Sequence, residues 1–167
     1  PFHWARYVCE AVNKIRIEVQ KNHPKKERIY FKHSHKLLLS RQCNLKYDEQ
    51  KDELSNILTN YSENLRIAYR EKEELLDILH SDEDASTKTK RFSSWVKHNL
   101  ESDIPQLQDC AKTYQHWYTE IKNSLCVPYS NGPTEGFNNK IKTLKRVTFG
   151  MRNFKNFKAR IMLLNRP

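Results

Sequence analysis

Glycine is almost missing from this chain: 167 residues hold three, at Gly132, Gly136 and Gly150, beside six prolines. So few turn formers argue against a β-meander or sandwich, whose tight turns draw on residues that tolerate positive φ. Cysteine is sparse as well. Cys9, Cys43, Cys110 and Cys126 are far apart and include no Cys-x-x-Cys pair, so no compact disulfide framework is expected. Reduced thiols in a cytoplasmic protein are the simplest account. His33 and His35 lie two apart, and no second ligand pair has zinc-finger spacing, which argues against a zinc site. No apolar run approaches the roughly 20 residues that cross a bilayer, and no signal peptide is visible.

What is present in excess is positive charge. The formal net charge is +10 and the isoelectric point about 9.5, so an anionic partner is expected, nucleic acid first. Hydrophobic residues make up 37% and charged residues 30%, which suits a mainly α protein with a modest core. The charge is segregated along the chain. Asp48 to Asp84 holds twelve acidic and four basic residues, whereas Gly136 to Pro167 holds nine Lys or Arg and neither Asp nor Glu. Charge runs are usually solvated faces, but an acid-free run of this length suits phosphate contacts, in which Lys and Arg displace condensed counterions.

Apolar periodicity supplies the helices. Trp4, Val8, Ala11, Val12, Ile15 and Val19 recur in steps of three and four, the pattern of an amphipathic helix, and Asn22-His23-Pro24 ends it. Ile29-Tyr30-Phe31 and Leu37-Leu38-Leu39 flank Lys32-His33-Ser34-His35-Lys36. Either a helix or a short strand satisfies that pattern, and any strand in this chain is expected at Leu37–Leu39. Leu54, Ile57, Leu58 and Tyr61 mark a further helix. Leu65, Ala68, Tyr69, Lys72, Leu75, Leu76 and Leu79 mark a longer one behind an N-cap at Ser62. Ser81-Asp82-Glu83-Asp84 breaks the pattern before Ala85, Phe92, Trp95, Val96 and Leu100. Ile104-Pro105 opens a single helix through Leu107, Cys110, Ala111, Tyr114, Trp117, Ile121 and Leu125. These stripes read as the core of a helical bundle, Trp95 and Trp117 included, with the acids outside. Acidic neighbours such as Glu73 and Asp77 have no support as metal ligands beyond their spacing.

The chemistry-bearing stretch is Ser130-Asn131-Gly132-Pro133-Thr134-Glu135-Gly136-Phe137-Asn138-Asn139-Lys140-Ile141-Lys142. Asn-Gly-Pro makes a turn, and Pro133 can occupy the first helical position, where its missing N–H costs nothing. Glu135 then falls in the first turn, beside free amides and the positive end of the macrodipole. A carboxylate there either caps the helix or stays ionised, ready to bind a cation. Lys142 is two turns on, on the same face. Phe137, Ile141 and Leu144 form a neighbouring apolar stripe, and Gly150 is placed to end the helix as its C′ residue. Phe154, Phe157, Ile161 and Leu164 form a second stripe.

These residues, followed by Lys145-Arg146, Phe149-Gly150 and Arg152-Asn153-Phe154, resemble the C-terminal signature of bacterial insertion-sequence transposases of the DDE superfamily, closest to the ISL-three-type family. The resemblance runs from end to end, strongest at 131–160 and weakest in the acidic segment. It implies a ribonuclease H-like fold with a helical insertion, most sheet strands lying outside the chain. Residues 1–42 would follow the second catalytic aspartate, 43–126 would be the insertion, and 127–167 would carry the third acid and a basic helix. The Phe2-His3 pair resembles one that follows that aspartate by one residue, so the chain is expected to begin just after it. His3 is otherwise a polar residue near a helix start.

By this resemblance Glu135 is the third catalytic acid and a metal ligand. Three carboxylates would hold two Mg²⁺ or Mn²⁺ ions for strand cleavage and strand transfer. With Glu135 alone, the chain is expected to bind no metal by itself and to be inactive in isolation. Lys142 matches a recurrent DNA contact, and Lys140, Lys145, Arg146, Arg152 and Lys155 extend that surface. DNA is the expected partner, with self-association in the complete enzyme. Two readings compete: a non-catalytic helical DNA-binding module, and an interaction bundle using the acidic segment.

Overall fold

The computed structural model describes residues 2–126, 132–149 and 151–164. Among them every regular element is helical. The chain divides into two compact units, residues 1–127 and 128–167.

The first unit opens with α1 (Phe2–Lys21), whose Val8, Ala11, Val12 and Ile15 are buried at the spacing that puts them on one face. Next come α2 (Lys25–His33) and α3 (His35–Leu39). Leu37–Leu39 is therefore helical, not a strand: Leu38 N–H bonds to the Ser34 carbonyl at 3.0 Å, and Ser40 N–H to that of Lys36. Among the described residues there is no strand for it to pair with, and as a helix it satisfies part of its backbone internally. A 3-10 turn at Gln42–Asn44 leads into α4 (Asp48–Asn60) and α5 (Glu63–His80). The Ser62 hydroxyl accepts from Leu65 N–H at 3.3 Å, which is the expected N-cap. Asp84 does the same for α6 (Ala85–Leu100), accepting from the amides of Ser86 and Thr87.

α1 packs on α5 and on α7 (Pro105–His116), and α6 packs on α7. Tyr114 of α7 is nearly fully buried, edge-on to Tyr7, Phe92 and Trp95, and its hydroxyl donates to the Trp4 carbonyl. Cys110, one turn earlier, is buried too, and desolvation pushes its thiol up to about 12. All four cysteines are free.

The last helical stripe of this unit is not one helix. Trp117, at φ −97° and ψ 22°, separates α7 from α8 (Tyr118–Leu125). That break resets the helical phase, so Ile121 is buried while Trp117 stays 41% exposed. Trp117 is thus no core residue, in contrast to Trp95, whose indole N–H bonds to the Glu71 carbonyl at 3.0 Å.

Charge enters the core at Arg16 of α1 and at α5. Lys72 occupies an apolar-stripe position and is fully buried. Its ammonium donates to the carbonyls of Leu38 (2.9 Å) and Ser40 (2.6 Å), pairs with Glu73 at 2.8 Å and lies 3.9 Å from the Tyr69 ring centre. One side chain therefore closes the C-terminal end of α3 and joins it to α5. Glu71, also buried, accepts from the Asn99 amide of α6 at 2.9 Å. The outer acids are matched as well: Asp77 and Glu83 each meet Arg91 at 2.9 Å. Glu73 and Asp77 thus serve ion pairs, and no group of three potential ligands fit to hold a metal occurs among the described residues.

In the second unit, α9 (Gly132–Val147) is followed by α10 (Phe154–Leu164). Leu144 is the buried residue of α9, whereas Phe137 is 39% exposed and Ile141 half-buried. On α10, Phe157 and Ile161 are half-buried, but Phe154 and Leu164 are exposed. Both apolar stripes are only partly covered.

Replacing Lys72 by Met should destabilise the fold by about 3 kcal/mol, because it strands Glu73 and two carbonyls. Adding Glu73→Leu should recover part of the loss; urea unfolding of both variants measures it. Burial holds the Lys72 ammonium below its ordinary value of 10.5, with Glu73 opposing. The unfolded chain therefore binds this proton more tightly, and the group's contribution to stability improves as pH rises towards that value.

A candidate nucleic-acid interface on the second unit

The local sequence explains how α9 presents its polar groups. Pro133 stands second in the helix and Glu135 lies in the first turn, exposed. The first-turn amides and the positive end of the dipole lie at that end of the helix. The Asn131 turn and Gly150 lie outside the described residues. Seven residues of helix put Lys142 about 10 Å from Glu135 along the axis.

Lys140, Lys142, Lys145 and Arg146 are all exposed, as are Arg152, Lys155, Lys158 and Arg160 beyond the turn. Lys145 and Arg146 sit in the last turn, where cations complement the carbonyl end. Between Gly132 and Leu164 the one acid in the sequence is Glu135, so nothing else on these two helices neutralises the cations.

Two open clefts lie in this unit. A groove of about 630 Å³ runs between α9, through Gly136, Asn139, Lys140, Thr143, Leu144 and Val147, and Leu164 of α10. A second, of about 410 Å³, is formed by Lys142, Lys145, Arg146 and Phe149. The structure thus gathers three of the six sequence-predicted DNA residues at one place and sets Lys140 in the other cleft. Glu135 lines neither.

α9 stops at Val147, and Phe149 turns left-handed, with φ 50°. Thr148 N–H bonds to the Leu144 carbonyl and Phe149 N–H to that of Arg146, at 3.0 and 3.1 Å. The second bond is half of a Schellman closure with Phe149 at C′, the position that glycine usually takes. A β-carbon in this region costs about 1–2 kcal/mol. The ring is 98% exposed, so it recovers none of that by burial. In the sequence Phe149 belongs to the signature without a role of its own; the signal for one is an aromatic directly before glycine at a helix end.

Beyond the turn, the Asn153 side-chain carbonyl accepts from the amides of Lys155 (3.0 Å) and Asn156 (3.3 Å), which caps α10.

Hard divalent cations take several oxygen ligands, and the first turn of α9 offers one carboxylate, Glu135.

Residues 1–161 match the transposase family of the ISL-three DDE type. The chain belongs to this transposase family. Over 56 residues it is 52% identical to a Lactococcus lactis subsp. lactis protein named "ATP-dependent protease", a match covering 34% of this chain and 18% of that protein. No solved structure matches. Among the described residues of this transposase-family chain, no helix is long and apolar enough to cross a membrane.

Asn153→Ala should loosen the start of α10 by about 1 kcal/mol. Hydrogen exchange at the amides of Lys155 and Asn156 should then speed up about fivefold, with the amides of α5 unchanged.

Proposed function

We propose that this chain supplies the third catalytic acid and a DNA-gripping surface of a DDE transposase. Glu135 is the acid. Lys140, Lys142, Lys145, Arg146, Arg152 and Lys155 hold the phosphates of transposon-end and target DNA. The observation that carries this reading is a lone exposed carboxylate in the first turn of a helix whose further course, and whose successor helix, bear cations alone.

In this reading the family fold is ribonuclease H-like, with residues 43–126 as its helical insertion. The catalytic centre is completed by two aspartates outside α9. Divalent metal, when bound by the full set of acids, supplies the Lewis acidity for phosphodiester chemistry. This chain's own part is narrower. Glu135 places a carboxylate in the first turn of α9. The cations bring the DNA backbone to that place and fix its register without reading its sequence. The family match covers the chain nearly from end to end, which supports carrying the whole arrangement over.

A non-catalytic DNA-binding module is the second reading, favoured by the cation surface taken without Glu135. The name of the Lactococcus lactis protein is not carried over, because the match covers 34% of this chain and 18% of that protein.

Duplex DNA should bind this chain weakly, with a steep salt dependence and little sequence preference. Substituting Lys142, Lys145 and Arg146 by Ala should weaken binding and flatten the logarithmic salt slope by up to about 0.9 per lost phosphate contact. In the complete enzyme, Glu135→Gln should abolish cleavage of a terminal-repeat duplex while leaving folding and DNA binding nearly intact. Wild-type cleavage by that variant would reduce Glu135 to a helix cap and leave the binding-module reading.

A further inference from the structure

The residue that the fold itself does not explain is Phe149. It adopts a backbone conformation that disfavours side chains, although Gly150 follows it directly in sequence. Its ring reaches solvent almost completely. A helix end built for stability alone would put glycine there and bury the aromatic. Instead the ring stands at the rim of the cleft formed with Lys142, Lys145 and Arg146. Positions 142, 145 and 146 are neighbours on one helical face. The Thr148 hydroxyl, bonded to the Leu144 carbonyl at 2.8 Å, and the bond from Phe149 N–H to the Arg146 carbonyl hold the turn. The ring is therefore carried on a fixed backbone beside the cations.

A phosphate-binding cleft needs no aromatic. A cleft that receives a strand with an unpaired base does: cations track the backbone, and a ring offers a face on which any base can stack. We propose that Phe149 is a stacking platform for an unpaired nucleotide, and that Lys142, Lys145 and Arg146 hold the phosphates flanking it. The surface then prefers DNA with an exposed, unstacked base near a strand end over continuous duplex. That is the form of DNA present once a strand has been opened or cut. Because stacking is tolerant of base identity, the preference is for strand state rather than sequence. This inference rests on the DNA-binding reading above and adds the state of the DNA to it.

The test uses the whole chain, a blunt duplex, and the same duplex with a short unpaired 3′ tail carrying a fluorescent adenine analogue. Wild type should bind the tailed DNA more tightly and quench the analogue. Phe149→Gly, which relaxes the turn while deleting the ring, should lose roughly tenfold in affinity for the tail and the quenching, yet keep duplex affinity within twofold. Phe149→Leu should lose both in the same way, and Phe149→Trp should restore them. If Phe149→Gly leaves tail binding and quenching unchanged, or weakens blunt and tailed DNA equally, the stacking role is wrong while the DNA-binding reading stands. If Phe149→Leu retains tail affinity, the ring acts as a greasy contact and not as a platform. If wild type binds neither DNA at low salt, the DNA-binding reading itself fails, and the stacking role with it.

Discussion

A buried ammonium group organises the first unit. Lys72 sits where the stripe of α5 calls for an apolar residue, and it is fully buried. An isolated charge there would be costly. The group is tolerated because two carbonyls at the end of α3, one carboxylate and one aromatic face surround it. The same contacts fix where the short α3 helix can sit, since its terminal carbonyls have no intrahelical partner. Helices from the first forty residues and from the acidic segment are thereby locked together, with α1 packed along α5. The acids of this unit are largely matched internally, Glu71 by Asn99 and Asp77 by Arg91.

The second unit follows a different rule. Its helices bury little, with Leu144 the one buried residue among those described. Its cations lie outside, without acids among them beyond Glu135. A surface built this way gains nothing from its own charges and repels itself mildly, which is a cost that an anionic partner removes. That contrast, internal pairing in one unit and a cationic surface in the other, supports the proposal that the second unit is the interface.

Much of this was legible in the sequence. The helices α1, α4, α5 and α6, their breaks, and the Ser62 cap follow from spacing and capping chemistry that act locally. Lys72 was legible only as a member of a stripe, because its partners at Leu38 and Ser40 lie more than thirty residues away. Leu37–Leu39 could not be decided by periodicity, since three consecutive leucines suit either period; the free carbonyls that Lys72 closes belong to a helix. The split at Trp117 was invisible because Ile121 and Leu125 continue the stripe after a change of phase. At the site, the first-turn place of Glu135 was read from Asn-Gly-Pro. The left-handed Phe149 was not, because glycine is the better candidate for that conformation and stands next to it.

That DNA lies along the second unit and not on the first is tested by lysine footprinting. The chain would be acetylated under limiting conditions with and without duplex DNA, and each lysine quantified by mass spectrometry. Lys140, Lys142, Lys145 and Lys155 should lose reactivity when DNA is bound, while the exposed Lys25, Lys26 and Lys51 of the first unit keep theirs. Protection at Lys25 and Lys26 with Lys142 and Lys145 left reactive would contradict the account and move the interface to α2.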